Sequence, residues 1–152
     1  MNSRVDLNLP VFDYKIKQGT NEESIFDPVR NKYVKLTPEE WVRQHIIHYL
    51  LGHKAVPIGL TAVEKQFTYN KIRQRADIVV FNKLAKPSLI VECKAPSVQI
   101  TQETFEQIAR YNIPLRVDYL MVSNGIDHFY CKMDYENWSY QFLHDLPDYE
   151  NW

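Results

Sequence analysis

Three charged residues stand where an apolar strand should carry none. Arg75-Ala76-Asp77-Ile78-Val79-Val80 and Leu89-Ile90-Val91-Glu92-Cys93-Lys94-Ala95 each read as a short buried strand, rich in β-branched residues and bounded by polar or proline-containing segments. Asp77, Glu92 and Lys94 are set into them. A lone buried carboxylate costs several kcal/mol unless it is paired or metal-bound. Alternation along a strand puts Glu92 and Lys94 on one face and Cys93 on the other. If the strands are neighbours, Asp77 faces Glu92 with Cβ atoms about 4.5–5.5 Å apart. Carboxylates that close repel, and a shared divalent cation is the usual remedy.

The elements that must hold these residues are legible around them. Thr37-Pro38-Glu39-Glu40 is a helix start: Thr caps, Pro fits the first turn, and Glu40 at N3 completes a capping box. Val42, Ile46, Tyr49 and Leu50 recur at helical spacing, so a helix is expected over 38–52, ending near Gly52-His53. Glu40 is the acid this helix offers to a metal, with Gln44 one turn on sharing its face. Residues 58–69 read as a strand and Tyr69-Asn70-Lys71 as a turn. Lys71, Arg73, Arg75 and Asp77 share parity, a line of cations leading to the carboxylate and suited to phosphate. A second helix is expected over 101–112, capped by Thr101 and packed through Phe105, Ile108 and Ala109. Gln107 and Tyr111, four apart, stack on one of its faces. Residues 118–123 form another buried strand, and Asn124-Gly125 signals a hairpin into a strand over 126–133. In an N-terminal arm, 1–36, Leu7, Leu9 and Val11 alternate as one edge strand. The aromatic, acidic tail, 134–152, repeats Asp-Tyr-Glu-Asn-Trp at 134–138 and 148–152, with Trp138 expected to pack on the sheet edge.

The order capped helix, Asp77, Glu92-Cys93-Lys94, then Gln107-x-x-x-Tyr111 resembles the PD-(D/E)xK nuclease superfamily. Ala76-Asp77 stands where that family has Pro-Asp. Within it, the pattern is similar to the N-terminal nuclease domain of type I restriction enzyme R subunits, over roughly residues 37–132. The resemblance implies a restriction-endonuclease-like α/β core, a mixed central sheet flanked by the two helices. It implies hydrolysis of DNA phosphodiester bonds with Mg²⁺ or Mn²⁺. Asp77, Glu92 and the Cys93 backbone carbonyl would hold the metal, with Glu40 direct or through water. Lys94 would orient or deprotonate the attacking water, and Gln107, Tyr111, Arg73 and Arg75 would contact nucleic acid. No G-x-x-x-x-G-K-[ST] stretch is present, so a motor would come from a separate helicase, translocase or restriction-modification subunit. The alternative is a non-catalytic nucleic-acid-binding or assembly module that keeps the fold and needs no metal.

The totals agree with one domain over 1–152. A net charge of −1 excludes a global basic field, so nucleic acid must be met by a local patch. Cys93 and Cys131 make no disulfide framework and read as reduced core thiols of a cytoplasmic protein. The first residues, Met1 to Asp6, lack the apolar region of a secretory leader, and no apolar run approaches the roughly 20 residues of a membrane span. His45, His48 and His53 lack a clear fourth zinc ligand and read as surface residues.

Overall fold

The computed structural model describes residues 4–69 and 71–152; Met1, Asn2, Ser3 and the Asn70 of the expected turn lie outside the described residues. In chain order the strands are β1 (Ile16–Gln18), β2 (Glu23–Asp27), β3 (Lys32–Lys35), β4 (Thr61–Tyr69), β5 (Ile72–Phe81), β6 (Pro87–Cys93), β7 (Tyr119–Ser123), β8 (His128–Asp134) and β9 (Ser139–Leu143). Helix α1 (Pro38–His53) precedes β4, and α2 (Gln102–Asn112) lies between β6 and β7. β1–β3 make a small meander, and β4 to β9 make a six-stranded sheet in sequence order. All neighbours are antiparallel except β6 and β7, which run parallel. A parallel pair needs a long crossover, and α2 supplies it. The result is the mixed α/β, restriction-endonuclease-like architecture expected.

The central strands are buried on both faces, which is why they read as continuous apolar runs. Ile78, Val80, Leu89, Val91, Tyr119 and Met121 pack against Val42, Ile46 and Leu50 of α1. Val79, Ile90, Leu120 and Val122 pack against Phe105 and Ala109 of α2. Helix α1 is also covered on its far side, where Trp41 meets Ile25 and Leu36 of the meander region. It is therefore buried nearly all round and carries Glu40, Arg43, Gln44 and His45 inside. His45 and His48 lie against the ring of Phe12 rather than on an open surface.

Two expectations need correction, the strand at residues 7–11 and the packing of Trp138. Residues 7–11 form no strand; the segment is a strap, its Asn8 N–H donating to the Gly125 carbonyl at 2.8 Å. Leu7 packs so closely on Gly125 (φ +87°) that a Cβ there would lie 2.8 Å from it. The arm's strands lie later, in β1–β3, where short and weakly alternating segments left no clear period. The tail contributes a strand to the sheet, because β9 pairs with β8. Its two identical pentapeptides differ in use. At 134–138, Asp134 accepts from the N–H groups of Glu136 and Asn137, and Trp138 is 63% exposed under the Arg116 guanidinium. At 148–152, Tyr149 is buried, its hydroxyl donating to the Phe81 carbonyl, and Trp152 packs on Tyr119 and Tyr149.

Candidate active site

Antiparallel register sets the centre of the site. Ile78 pairs with Val91, so the next step along both strands places Asp77 beside Glu92. The two carboxyl groups are close enough for the Asp77 charge to act on Glu92. Burial first, and the neighbouring Asp77 charge second, push Glu92 up to about 8. Asp77 is fixed from two other directions. The Cys93 N–H donates to its Oδ2 at 2.7 Å, and Arg43 Nη2 of α1 donates to its Oδ1 at 2.9 Å. Lys94, just past β6, is anchored by its own N–H to the Ser123 carbonyl at 2.8 Å. Its ammonium lies near enough to Glu92 and Glu39 to oppose the upward pull on both.

Helix α1 contributes more than its sequence suggested. Thr37 caps it, its Oγ1 accepting from the Glu40 N–H at 3.0 Å. The reciprocal half of the capping box is replaced. The Glu40 side chain instead takes Arg30 Nη2 and Arg43 Nη1, both at 2.8 Å, on Oε1, and Gln44 Nε2 at 3.3 Å on Oε2. Arg43 thus stands between Glu40 and Asp77. The α1 acid whose charge acts on Glu92 is Glu39, itself raised by burial and by Asp77.

The network extends into the meander and β4. Buried Asp27 accepts from Arg30 Nε at 2.6 Å and Gln44 Nε2 at 3.0 Å. Burial pulls its carboxyl upward, but these donors and the Arg30 N–H hold it below the usual carboxylate range. Glu64 receives Arg30 at 3.3 Å and Arg75 at 2.5 Å. Two buried atoms here, Arg43 Nε and Gln44 Oε1, have no hydrogen-bond partner among the described residues.

On the other face, a cavity of about 290 Å³ is lined by Glu92, Arg75, Gln107, Ile108, Tyr111 and Asn112. The Gln-x-x-x-Tyr pair of α2 therefore opens onto the same acid as β6. The Tyr111 hydroxyl donates to the Arg73 carbonyl at 3.4 Å, tying α2 to β5. Of the expected residues, Asp77, Glu92, Lys94 and the Cys93 backbone come together directly. Gln107, Tyr111 and Arg75 adjoin them, Arg73 lies further out, and Glu40 is reached only through Arg43.

The donor set suits a hard divalent cation. Among the described residues, Asp27, Glu39, Glu40, Glu64, Asp77 and Glu92 face four cations, Arg30, Arg43, Arg75 and Lys94. Among the described residues no three His, Cys, Asp or Glu groups are spaced to enclose a metal ion. Mg²⁺ asks for less, since it keeps its waters and is content with one or two carboxylates. Asp77 and Glu92 would supply two such carboxylates, and each carboxylate oxygen has a second lone pair beyond the contacts above.

A pH dependence follows from Glu92. Its folded-state carboxyl holds a proton up to about pH 8, whereas the unfolded chain releases it near the ordinary glutamate value of 4.5. Between these limits the folded state binds more protons, so metal-free stability falls as pH rises from 5 to 8. Urea unfolding at pH 5 and pH 8 is expected to show a loss of a few kcal/mol that Glu92→Gln removes. Buried His45 and half-buried His48, both lowered by desolvation, act in the opposite sense and cancel in that comparison.

Fold and site together define a class: a restriction-endonuclease-like α/β core with one acid from each of two neighbouring strands and a lysine two residues past the second. The chain belongs to the type I restriction enzyme R protein N-terminus family, whose model matches residues 38–147. A fragment structure described as an HsdR subunit of a type I restriction enzyme from Vibrio vulnificus YJ016 is similar to it at 24% identity. That likeness covers 60% of this chain and 18% of the other, with a TM-score of 0.37. The chain therefore spans less than a fifth of that relative. No curated protein matches the chain.

Sequence reasoning missed Arg43, Glu39, Arg30, Asp27 and Glu64. One signal was present for Arg43: it follows Glu40 by three on a helix, the spacing of an ion pair. No helix among the described residues is long and apolar enough to cross a membrane.

Proposed function

We propose that this chain is a divalent-metal-dependent nuclease that hydrolyses DNA phosphodiester bonds, with a PD-(D/E)xK centre made of Asp77, Glu92 and Lys94. The observation that carries the reading is the Asp77–Glu92 pair, two acids set side by side by strand register at the end of an apolar sheet, with an ammonium two residues on. Asp77, Glu92 and the Cys93 carbonyl would hold Mg²⁺ or Mn²⁺, with Glu39 better placed than Glu40 to reach its water shell. A cation bound there would lower the pKa of a water and neutralise charge growing on the phosphate.

The chain's own residues do the rest. Arg43 and the Cys93 N–H fix the Asp77 rotamer, so the carboxylate needs no reorientation. Lys94 orients the attacking water or takes its proton, held near Glu92 by the anchored backbone. Gln107 and Tyr111 position the nucleic acid at the cavity mouth, and Arg73 and Arg75 meet its phosphates. DNA and the other subunits of a restriction-modification assembly are the partners this reading implies. The second reading, a non-catalytic binding module, has one observation in its favour: the Arg43 guanidinium already compensates Asp77 without a metal.

Calorimetric titration of Mg²⁺ or Mn²⁺ into the wild type and Asp77→Asn tests the proposal. At least tenfold weaker binding by Asp77→Asn is expected, together with loss of DNA cleavage. Equal heats from both proteins would refute the metal site and favour the second reading.

A further inference from the structure

The strand β4–β5 pair outruns its neighbour. β6 meets β5 only from Ile78 onward, whereas β4 and β5 stay paired from Lys65↔Ala76 out to Tyr69↔Ile72. The outer part is a two-stranded ribbon with no third strand, and such a ribbon is marginal on its own. Its composition is unlike the rest of the chain. Residues 65–76 hold four cations, Lys65, Lys71, Arg73 and Arg75, and no acid, so the other 140 residues carry −5 within a net charge of −1. All four are exposed. Arg75, at the base, is paired with Glu64, while the segment beyond it carries no acid of its own. Cations two residues apart on one strand lie about 6.6 Å apart and repel, a cost that a bound polyanion reverses.

The ribbon is also aimed. Its base lines the cavity that Glu92, Gln107 and Tyr111 share, and the Tyr111 hydroxyl holds the Arg73 carbonyl. From Ile72 to Asp77 the strand covers about 17 Å, the rise of about five base pairs at 3.4 Å each. The major groove of B-form DNA admits a two-stranded ribbon, whereas the deep, narrow groove of duplex RNA does not.

We infer that the β4–β5 ribbon is an arm that grips double-stranded DNA by its phosphates and groove and leads it to the acid pair. The inference rests on the proposed nucleic-acid site, yet it concerns affinity and not hydrolysis. The arm engages DNA without metal, and its cations supply much of the salt dependence of binding.

The experiment is fluorescence anisotropy of a labelled 20-base-pair DNA duplex, and of one of its single strands, in EDTA over a series of NaCl concentrations. Wild type is compared with Lys65→Gln/Lys71→Gln/Arg73→Gln and with the charge-conserving Lys71→Arg/Arg73→Lys. The triple variant is expected to lose at least tenfold in duplex affinity, with a log–log salt slope shallower by about 2–3. The charge-conserving variant should match wild type, and Mg²⁺ calorimetry and circular dichroism should be unchanged in both. An unchanged duplex affinity and slope in the triple variant would overturn the arm, as would a loss confined to the single strand. If the arm fails in this way while Asp77→Asn still abolishes metal binding and cleavage, the nuclease reading stands. If the duplex is gripped but neither metal nor cleavage is found, the arm stands alone.

Discussion

Lys94→Ala is expected to cut divalent-dependent DNA cleavage by about 10²–10⁴-fold, the range for loss of a positioned proton-transfer group. The fall should appear in kcat, with KM for DNA little changed, because the cations proposed to meet phosphate lie elsewhere. Lys94 is suited to such a clean test. Its backbone is held by Ser123, so truncation removes the ammonium without releasing the strand. The residue is half-buried, and its neighbours Glu92 and Glu39 are acids that its charge steadies. Thermal melting should therefore move only slightly. Single-turnover cleavage with saturating Mg²⁺ is the decisive measurement, and full activity in this variant would remove Lys94 from the chemistry.

Arg43→Met is expected to cost about 3–5 kcal/mol of stability, the range for stripping one partner from a buried ion pair. Arg43 is almost fully buried and joins Glu40 at 2.8 Å to Asp77 at 2.9 Å. Burial works against its charge, but those two acids outweigh it and hold its pKa above the ordinary value. Methionine fills much of the same space, so the loss reports charge and hydrogen bonding more than a cavity. Urea denaturation gives the number. Two further variants decide its origin. Glu40→Gln added to Arg43→Met should return part of the loss, since one stranded carboxylate is gone. Saturating Mg²⁺ should return another part if the cation takes over Asp77, in proportion to its binding. A loss below 1 kcal/mol would mean the network is solvent-screened and that Asp77 needs no such support.

The acid pair was legible because its signal is local. Charges inside β-branched runs are conspicuous, and the period of two then fixes which neighbours share a face. Both helices were legible for the same reason, through Thr37 and Thr101 as caps and the stripes that follow. Arg43 was not, because its meaning depends on two sheets closing around α1. A helix covered on one side would leave the Arg43 face wet, and the residue would be an ordinary surface ion pair. β1 to β3 escaped because strands of three to five residues carry too little period to read. β9 escaped because a tail rich in turn residues hides Ser139–Leu143, whose pairing is dictated by β8 and not by its own composition. Identical pentapeptides at 134–138 and 148–152 show the limit directly: one is a turn and the other docks, by position alone.

The meander has a bearing on where this protein can be cut. Likeness to the family begins at residue 38, yet Asp27 and Arg30 lie before that point and hold Gln44 and Glu40 from outside it. A fragment trimmed to the recognisable stretch would keep every residue named in the chemistry and lose the scaffold that orients the first turn of α1. It would also bare Trp41 to water. The heritable pattern and the cooperative folding unit are thus different objects, and the second is larger by at least the eleven residues from Asp27 to Thr37.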